Sequence, residues 1–362
     1  MTGPQPPADP DRPGTGHPQP HPSGTPAHHR TTHPATHPTA AGATLVIGAT
    51  GTTGSRVARR LLALGHPVTA ASRGAAAPTE GAGPDQPPAP TDGASPDRPT
   101  APPDGTAPTH GSVPPPRARP VRFDWYDPTT FTAALARAER VYLVPPVSEP
   151  DPLPVMLPFL RQARAAGAGR AVLLSSSAVP AGGPAIGQVH AALGELFDTW
   201  SAVRPSWFMQ NFTGRHPHAA RGRGDGLLST ATGTGRVAFV DADDIAAVAV
   251  HALTADPPPA ADLVVTGPEA LSYAEAAAVL SEFAGRPISH APISVPELRD
   301  RLAAHLPPAY AAFLADLDGA IAAGAEDRVT DTVTRLTGRP PRTFRDHLAA
   351  HRGALAPLSP RA

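Results

Sequence analysis

The chain has 362 residues, of which 50 are proline and 33 glycine, with no cysteine and a formal net charge of −1. The near-neutral balance excludes the global basic field that draws nucleic acid or an acidic membrane surface, and the missing cysteine excludes disulfides, thiolate catalysis and sulfur-ligated metal. Lysine is absent as well, so no mechanism built on a lysine base, a Schiff base or a P-loop lysine operates here.

Residues 1–42 are Pro, Thr, His and Gly with almost no large apolar side chain, too little to offset chain entropy, and read as a disordered extension. His17, His21, His28, His29, His33 and His37 fall in this tract, but their spacing is irregular and no carboxylate cluster accompanies them, so no metal site is assigned. The start of the chain lacks the basic-then-apolar pattern of a secretory signal, and no apolar run approaches the length that spans a bilayer. The expectation is a cytoplasmic protein without membrane or nucleic-acid contacts.

From Thr44 the pattern alternates between strand and helix. "TLVIGA" is a fully apolar run, as a central parallel strand covered on both faces requires. A helix is predicted over 53–64, stopped by Gly65 with Pro67 beyond. "PVTAAS" is the second strand. Residues 75–119 repeat the Pro- and Gly-rich composition of the N-terminus and read as a disordered insertion. "PVRFDW" is the third strand, with a helix opening at Pro128, and "RVYLVPP" is the fourth. "PVMLPFLRQARAAG" is a helix containing Pro158, "RAVLLSSSA" the fifth strand, "QVHAALGELFDT" a helix and "WSAVRPSWF" the sixth strand.

Repeated βα units predict an α/β fold: a Rossmann-type, doubly wound parallel sheet over 43–255, with ligands beyond the carboxyl ends of its strands. In "VAFVDADDIAAVAVHAL", Asp241 and Asp244 sit where they would cap a helix. Ser272 and Glu275 form an S-x-x-E capping box further on. Residues 256–355 read as a small, mostly helical cap on the substrate side.

Gly48, Gly51 and Gly54 give G-x-x-G-x-x-G directly after a strand and before a helix, the context that makes the motif a dinucleotide-phosphate turn. Thr50, Thr52 and Thr53 stand between these glycines. An acid ending the second strand would bind the ribose hydroxyls of NAD; here Ser72 and Arg73 occupy that place. Arginine pairs with a 2′-phosphate through its planar fork, so NADP(H) is favoured over NAD(H). Asp124 and Trp125 end the third strand near the expected adenine, Trp125 reading equally as a core aromatic. Pro145 and Pro146 end the fourth, where they would line the adenosine ribose and diphosphate.

Many enzymes with such a sheet reduce ketones with a Tyr-x-x-x-Lys pair and a serine. Ser175, Ser176 or Ser177 could be that serine, but the pair does not exist: there is no lysine, and no tyrosine between Tyr142 and Tyr273. His190 lies in the region instead, either as a proton donor or as a helix-packing residue. A ketone would leave an alkoxide that needs a proton. An iminium ion would not, so a site without the pair can work by positioning. It then needs aromatic surface for an organic cation. "RPSWFMQNF" offers Trp207, Phe208, Met209, Asn211 and Phe212 after the sixth strand, some of which core packing also explains.

"VIGATGTTGSRVARRLLALGHPVTAASR", "FDWYDP", "VYLVPP", "RPSWFMQNF" and "VDADDIAAVAVHAL" together resemble the NmrA-like, atypical short-chain dehydrogenase/reductase family. "GGPAIGQVHAAL", "LLSTATGTGRVAFV", "TGPEALSYAEAAAVLSEFAGRPISH" and "AGAEDRVTDTVTRLTGRPPRTF" resemble its ergot alkaloid biosynthesis branch, the festuclavine and agroclavine dehydrogenases. The resemblance covers nearly all of 43–350 outside the insertion. It implies an NAD(P)H-dependent reductase acting on a carbon–nitrogen double bond in a polycyclic alkaloid, with the glycine turn, Arg73 and the strand ends as cofactor contacts; the expected substrate is a small or polycyclic organic molecule. The N-terminal extension and the Pro-rich insertion depart from the family pattern. Two other readings stay open: a non-enzymatic NADP(H) sensor with a protein partner, and a quinone or azo reductase.

Overall fold

The structure, a computed structural model, describes residues 42–74, 117–259 and 262–357. The expected extension over 1–42, with its histidines, and the expected insertion over 75–119 lie outside the described residues, apart from Gly42 and 117–119.

Eleven strands are described: β1 (Ala43–Ile47), β2 (Val68–Ser72), β3 (Arg119–Arg122), β4 (Ala138–Leu143), β5 (Arg170–Leu174), β6 (Thr199–Pro205), β7 (Leu227–Thr230), β8 (Arg236–Val237), β9 (Asp262–Val265), β10 (Leu271–Ser272) and β11 (Ser289–Pro292). Seven form one sheet in the order β3-β2-β1-β4-β5-β6-β9, every pair parallel. This is the doubly wound α/β fold that the alternation predicts. The chain steps outward from β1 to β3, then crosses back to β4 on the other side. The order therefore reverses between β1 and β4, and that reversal opens a crevice at their carboxyl ends.

Both faces are covered, which is why the central strands are apolar throughout. On one face α1 (Thr52–Ala63) packs Val57, Ala58 and Leu61 against Val46 and Ala70. On the other, α2 (Phe131–Leu135), α3 (Pro152–Ala165) and α4 (Ile186–Leu196) close over Phe123, Trp125, Phe131 and Phe159, whose rings meet edge to face or stacked at 4.9–5.6 Å. The helix α3 runs through Pro158 and begins at Pro152, two residues before the sequence suggests.

After β6 the chain leaves the sheet. It forms α5 (Gln210–Thr213) and α6 (Pro217–Arg223), then β7 and β8. It returns as α7 (Ala242–Thr254), which lies against α1, and as β9, which closes the sheet edge. It then leaves again through β10, α8 (Tyr273–Ala284), β11, α9 (Val295–Ala303) and α10 (Pro308–Ala322), before α11 (Thr332–Thr337) and α12 (Phe344–Ala350). Strand β7 pairs with β11 and β8 with β10, so two stretches on either side of α7 and β9 build the cap together. Met209, Phe212, Phe239, Tyr273 and Phe344 form its core. Ser272 and Glu275 make the predicted capping box at the start of α8.

One buried carboxylate ties cap to sheet. Asp241, fully buried, caps α7 by accepting from the Asp243 N–H at 2.7 Å. Its Oδ2 takes the Arg342 guanidinium at 2.9 Å and lies 2.8 Å from Nδ1 of His347, itself fully buried. With Asp241 ionised, that Nδ1 carries the proton and Nε2 accepts from the Thr213 hydroxyl, 2.9 Å away on α5. Burial opposes the charge on Asp241, but the His347 hydrogen bond, the Asp243 N–H and Arg342 hold its pKa well below the usual carboxylate range. Asp244 accepts from the Arg342 N–H at 2.8 Å and pairs with Arg339 at 2.9 Å. The capping role predicted for Asp241 holds, and these carboxylates also fasten the segment leading into α12.

Two predictions follow from the buried polar groups. Asp241→Ala leaves Arg342 without this partner and α7 without its cap. It should lower unfolding free energy by about 3–5 kcal/mol in a denaturant titration. Burial pushes His190 and His347 below their ordinary value of 6.5. Below that pH the unfolded chain takes up protons that the folded rings refuse, so their contribution is present above pH 6.5 and lost as pH falls. Denaturation midpoints should drop on the acid side, less steeply in His190→Asn; a flat profile would contradict the assignment.

Candidate active site

The glycine turn is built by close approach. Gly48 has φ +69°, in the left-handed region, and its carbonyl accepts from the Gly51 N–H at 2.8 Å. A Cβ on Gly54 would stand 2.2 Å from the Gly48 oxygen, so the third glycine lets α1 press against the end of β1. Helix α1 starts with Gly51 as N-cap, no capping side chain and no acid in its first turn. Its leading N–H groups thus meet an uncharged, small-residue turn, as a bound diphosphate requires. Thr50 is exposed at the tip, Thr52 half-buried and Thr53 buried.

The neighbouring strand ends flank this turn. Ser72 is buried at the end of β2, and Arg73 follows it exposed. Asp124 is half-buried, its Oδ1 accepting from the Tyr126 N–H at 3.1 Å. Trp125 takes the core alternative: it is 8% exposed within the aromatic cluster, and its indole N–H donates to the Val144 carbonyl at 3.1 Å. Its ring therefore secures the loop after β4 and does not offer a face to a ligand. Pro145 and Pro146 in that loop are half-buried. Beyond them the Tyr126 hydroxyl donates to Glu149 at 2.7 Å, a bond that pushes the phenol up to about 12.

Strand β5 ends at Leu174, four residues before the predicted limit. Arg204 on β6 donates to the carbonyls of Ser176 and Ser177 at 3.0 and 2.8 Å, drawing the serines into a turn. The three hydroxyls separate by partner. Ser177 donates to Glu326 at 2.6 Å in a buried pair, and Ser176 accepts from the Ala178 N–H at 3.3 Å. The Ser175 hydroxyl is buried with no partner among the described residues. A buried hydroxyl held beside the crevice without a bond suits a ligand polar group. His190 is 1% exposed, packs edge-on to Trp200 at 5.6 Å and is kept neutral by burial. It sits within the α4–β6 packing, and its Nδ1 is buried with no hydrogen-bond partner among the described residues.

The residues after β6 divide in the same way. Met209 and Phe212 are buried in the cap core, and Phe208 packs against the sheet-side core under α7. Trp207 and Asn211 line a cavity of about 290 Å³ between the β6–α6 segment, Tyr273 on α8 and the helices α9 and α10. This volume is at the lower end for small-ligand pockets. The Ser177 N–H donates to the Pro205 carbonyl at 2.9 Å, which sets the serine turn beside the start of the Trp207 segment. Leu298, Leu302, Leu314 and Leu317 form the apolar wall. Burial pushes His218 down to about 3, so it is neutral aromatic surface at physiological pH, and the Nδ1 of His216, an exposed residue, accepts from the His218 N–H at 3.2 Å. His216, His218, Tyr273 and Asp318 were not singled out from sequence, because they come from three separate helices and no local spacing joins them. Among the described residues no group of His, Cys, Asp and Glu could hold a metal, and no helix is long and apolar enough to cross a membrane.

The fold and turn have known counterparts. A profile of the NAD dependent epimerase/dehydratase family matches residues 44–202. An uncharacterized oxidoreductase of Bacillus subtilis (strain 168), YesF, is 42% identical over 308 residues, covering 85% of this chain and 94% of that protein. The agroclavine dehydrogenase of Claviceps fusiformis is 39% identical over 236 residues, 63% of this chain and 81% of its own length. The NADPH-dependent quinone oxidoreductase of Escherichia coli shares the fold at a TM-score of 0.61 and 19% identity, over 85% of this chain and 99% of that one. With the glycine cradle, the strand order and these relatives in agreement, the chain belongs to the NAD-dependent epimerase/dehydratase family, as an NAD(P)-dependent oxidoreductase of the atypical short-chain dehydrogenase/reductase type.

Proposed function

We propose that the protein is an NADPH-dependent reductase of a carbon–nitrogen double bond in a compact organic cation. The observation that carries this reading is the cavity beside Trp207, an aromatic and apolar enclosure next to a strand end with no Tyr–Lys pair. Kinship with an enzyme named agroclavine dehydrogenase supports amine chemistry.

The cofactor, when bound, supplies hydride. Its diphosphate is assigned to the backbone of Gly48, Gly51 and Gly54 and to Thr50, Thr52 and Thr53. Ser72 and Arg73 are assigned to the 2′-phosphate, and Asp124, Pro145 and Pro146 to the adenosine. Ser175 is assigned to the reacting end, where its unpartnered hydroxyl offers one hydrogen bond. The work left to the protein is positioning. Trp207 presents ring surface to a delocalised cation, and the leucines of α9 and α10 form an apolar wall beside it. Asn211 offers an amide to a polar substituent. The iminium carbon accepts the hydride and the nitrogen's charge is neutralised in the same step, so no proton has to be delivered. A ketone would leave an alkoxide that needs a proton, and no Tyr–Lys pair is present to deliver it.

The decisive experiment follows NADPH oxidation with a panel of cyclic iminium ions, quinones and ketones. Iminium turnover without ketone reduction is the expected result, and Trp207→Ala should depress it more than it weakens NADPH binding. Tight NADPH binding with no turnover across the panel would favour a non-enzymatic sensor instead. Arg73→Ala should weaken NADPH binding by about 1–3 kcal/mol while leaving NADH nearly unchanged; equal losses would remove Arg73 from the 2′-phosphate.

A further inference from the structure

The charges around the cavity do not cancel. Arg301 pairs with Glu297 at 2.6 Å one turn away on α9, and Arg221 pairs with Asp225. His218 is kept neutral by burial, and the Nδ1 of His216 serves as an acceptor for the His218 N–H. Asp318, on α10, is the remaining ionisable wall residue apart from Tyr273. Its Oδ2 accepts from the Ala231 N–H at 2.8 Å, and among the described residues no arginine or histidine pairs with it. We infer that Asp318 is the counter-ion that selects a cationic substrate, taking the positive nitrogen of an iminium or tertiary ammonium within the cavity that Trp207 lines. The inference rests on reading this cavity as the substrate pocket.

Geometry and electrostatics agree on this role. Asp318 projects into the cavity from the cap, facing the Trp207 segment that follows the sheet, and its one hydrogen bond to Ala231 fixes the carboxylate while leaving it uncompensated. Burial pushes its pKa above the usual carboxylate range, as expected of an anion without a cation beside it. A ligand cation would supply the missing charge. A neutral ligand of the same shape would gain the apolar contacts and not the ion pair. Asp318 is thus a specificity residue: it binds the substrate's charge and takes no part in hydride transfer.

The test compares two ligands of one shape on the full chain saturated with NADP+, by titration calorimetry. One is the 2-methyl-3,4-dihydroisoquinolinium cation; the other is its neutral lactam, 2-methyl-3,4-dihydroisoquinolin-1-one. The wild type should prefer the cation about 10- to 100-fold, the lower range of a close charge pair at an interface, since the N-methyl iminium has no N–H to donate. Asp318→Asn, which keeps an acceptor for Ala231, should abolish the preference with NADP+ affinity unchanged; Asp318→Glu should retain most of it. A preference that survives in Asp318→Asn, or none in the wild type, overturns the inference. Asp318-dependent binding of a cation that NADPH then fails to reduce would sustain the counter-ion and defeat the reductase reading. Reduction of the cation with the preference intact in Asp318→Asn would do the reverse.

Discussion

The ionised carboxylate of Asp241 is the constraint on which the arrangement of this molecule turns. It caps α7 on the sheet side and binds His347 and Arg342 from the C-terminal segment. Through His347 it reaches Thr213 in α5, the short helix just past the Trp207 loop. A fully buried charge is tolerable only when every lone pair is met, so these partners cannot drift independently. The result is that the loop after β6 is held between sheet and cap, and a cavity forms there.

Two kinds of site result from this architecture. The cofactor side is made of consecutive residues: a strand, three glycines and a helix whose first turn is left uncapped. The cavity is lined by Trp207 in the loop after β6 and by residues of α5, α6, β7, α8, α9 and α10, which meet only in the assembled cap. The serines after β5 lie between the two. Ser177 is spent on Glu326 and Ser176 on its own turn, so Ser175 alone of the three keeps a buried, unbonded hydroxyl. Arg204 sets that division by pulling the Ser176 and Ser177 carbonyls toward itself.

Residues of similar appearance in the sequence separated by burial. Trp125, Met209 and Phe212 are aromatic or sulfur-bearing and close to predicted strand ends, yet all three are core. Trp207 and Asn211, from the same short run as Met209 and Phe212, line the cavity. Alternation along the chain does not resolve this, because the segment is neither a strand nor a long helix: α5 is a single turn from Gln210 to Thr213. The side-chain Oε1 of Gln210 accepts from the Ala242 N–H at 3.0 Å, and that contact orients the loop. No nearest-neighbour pattern reveals it.

The doubly wound sheet, the dinucleotide turn and the exclusion of lysine chemistry were determined by the sequence alone, since each is carried by composition, by the strand–helix alternation along the chain or by a short local motif. Gly54 must be glycine because its own neighbour Gly48 stands where a Cβ would go, and such a rule is readable locally. The fate of His190, the choice among three serines and the charge balance of the cavity were decided by the tertiary structure. Burial sets whether an imidazole is neutral, and long-range partners such as Glu326 and Ala231 set which hydroxyl or carboxylate stays free. Desolvation and pairing belong to the assembled packing, and a linear pattern does not encode which distant groups will arrive.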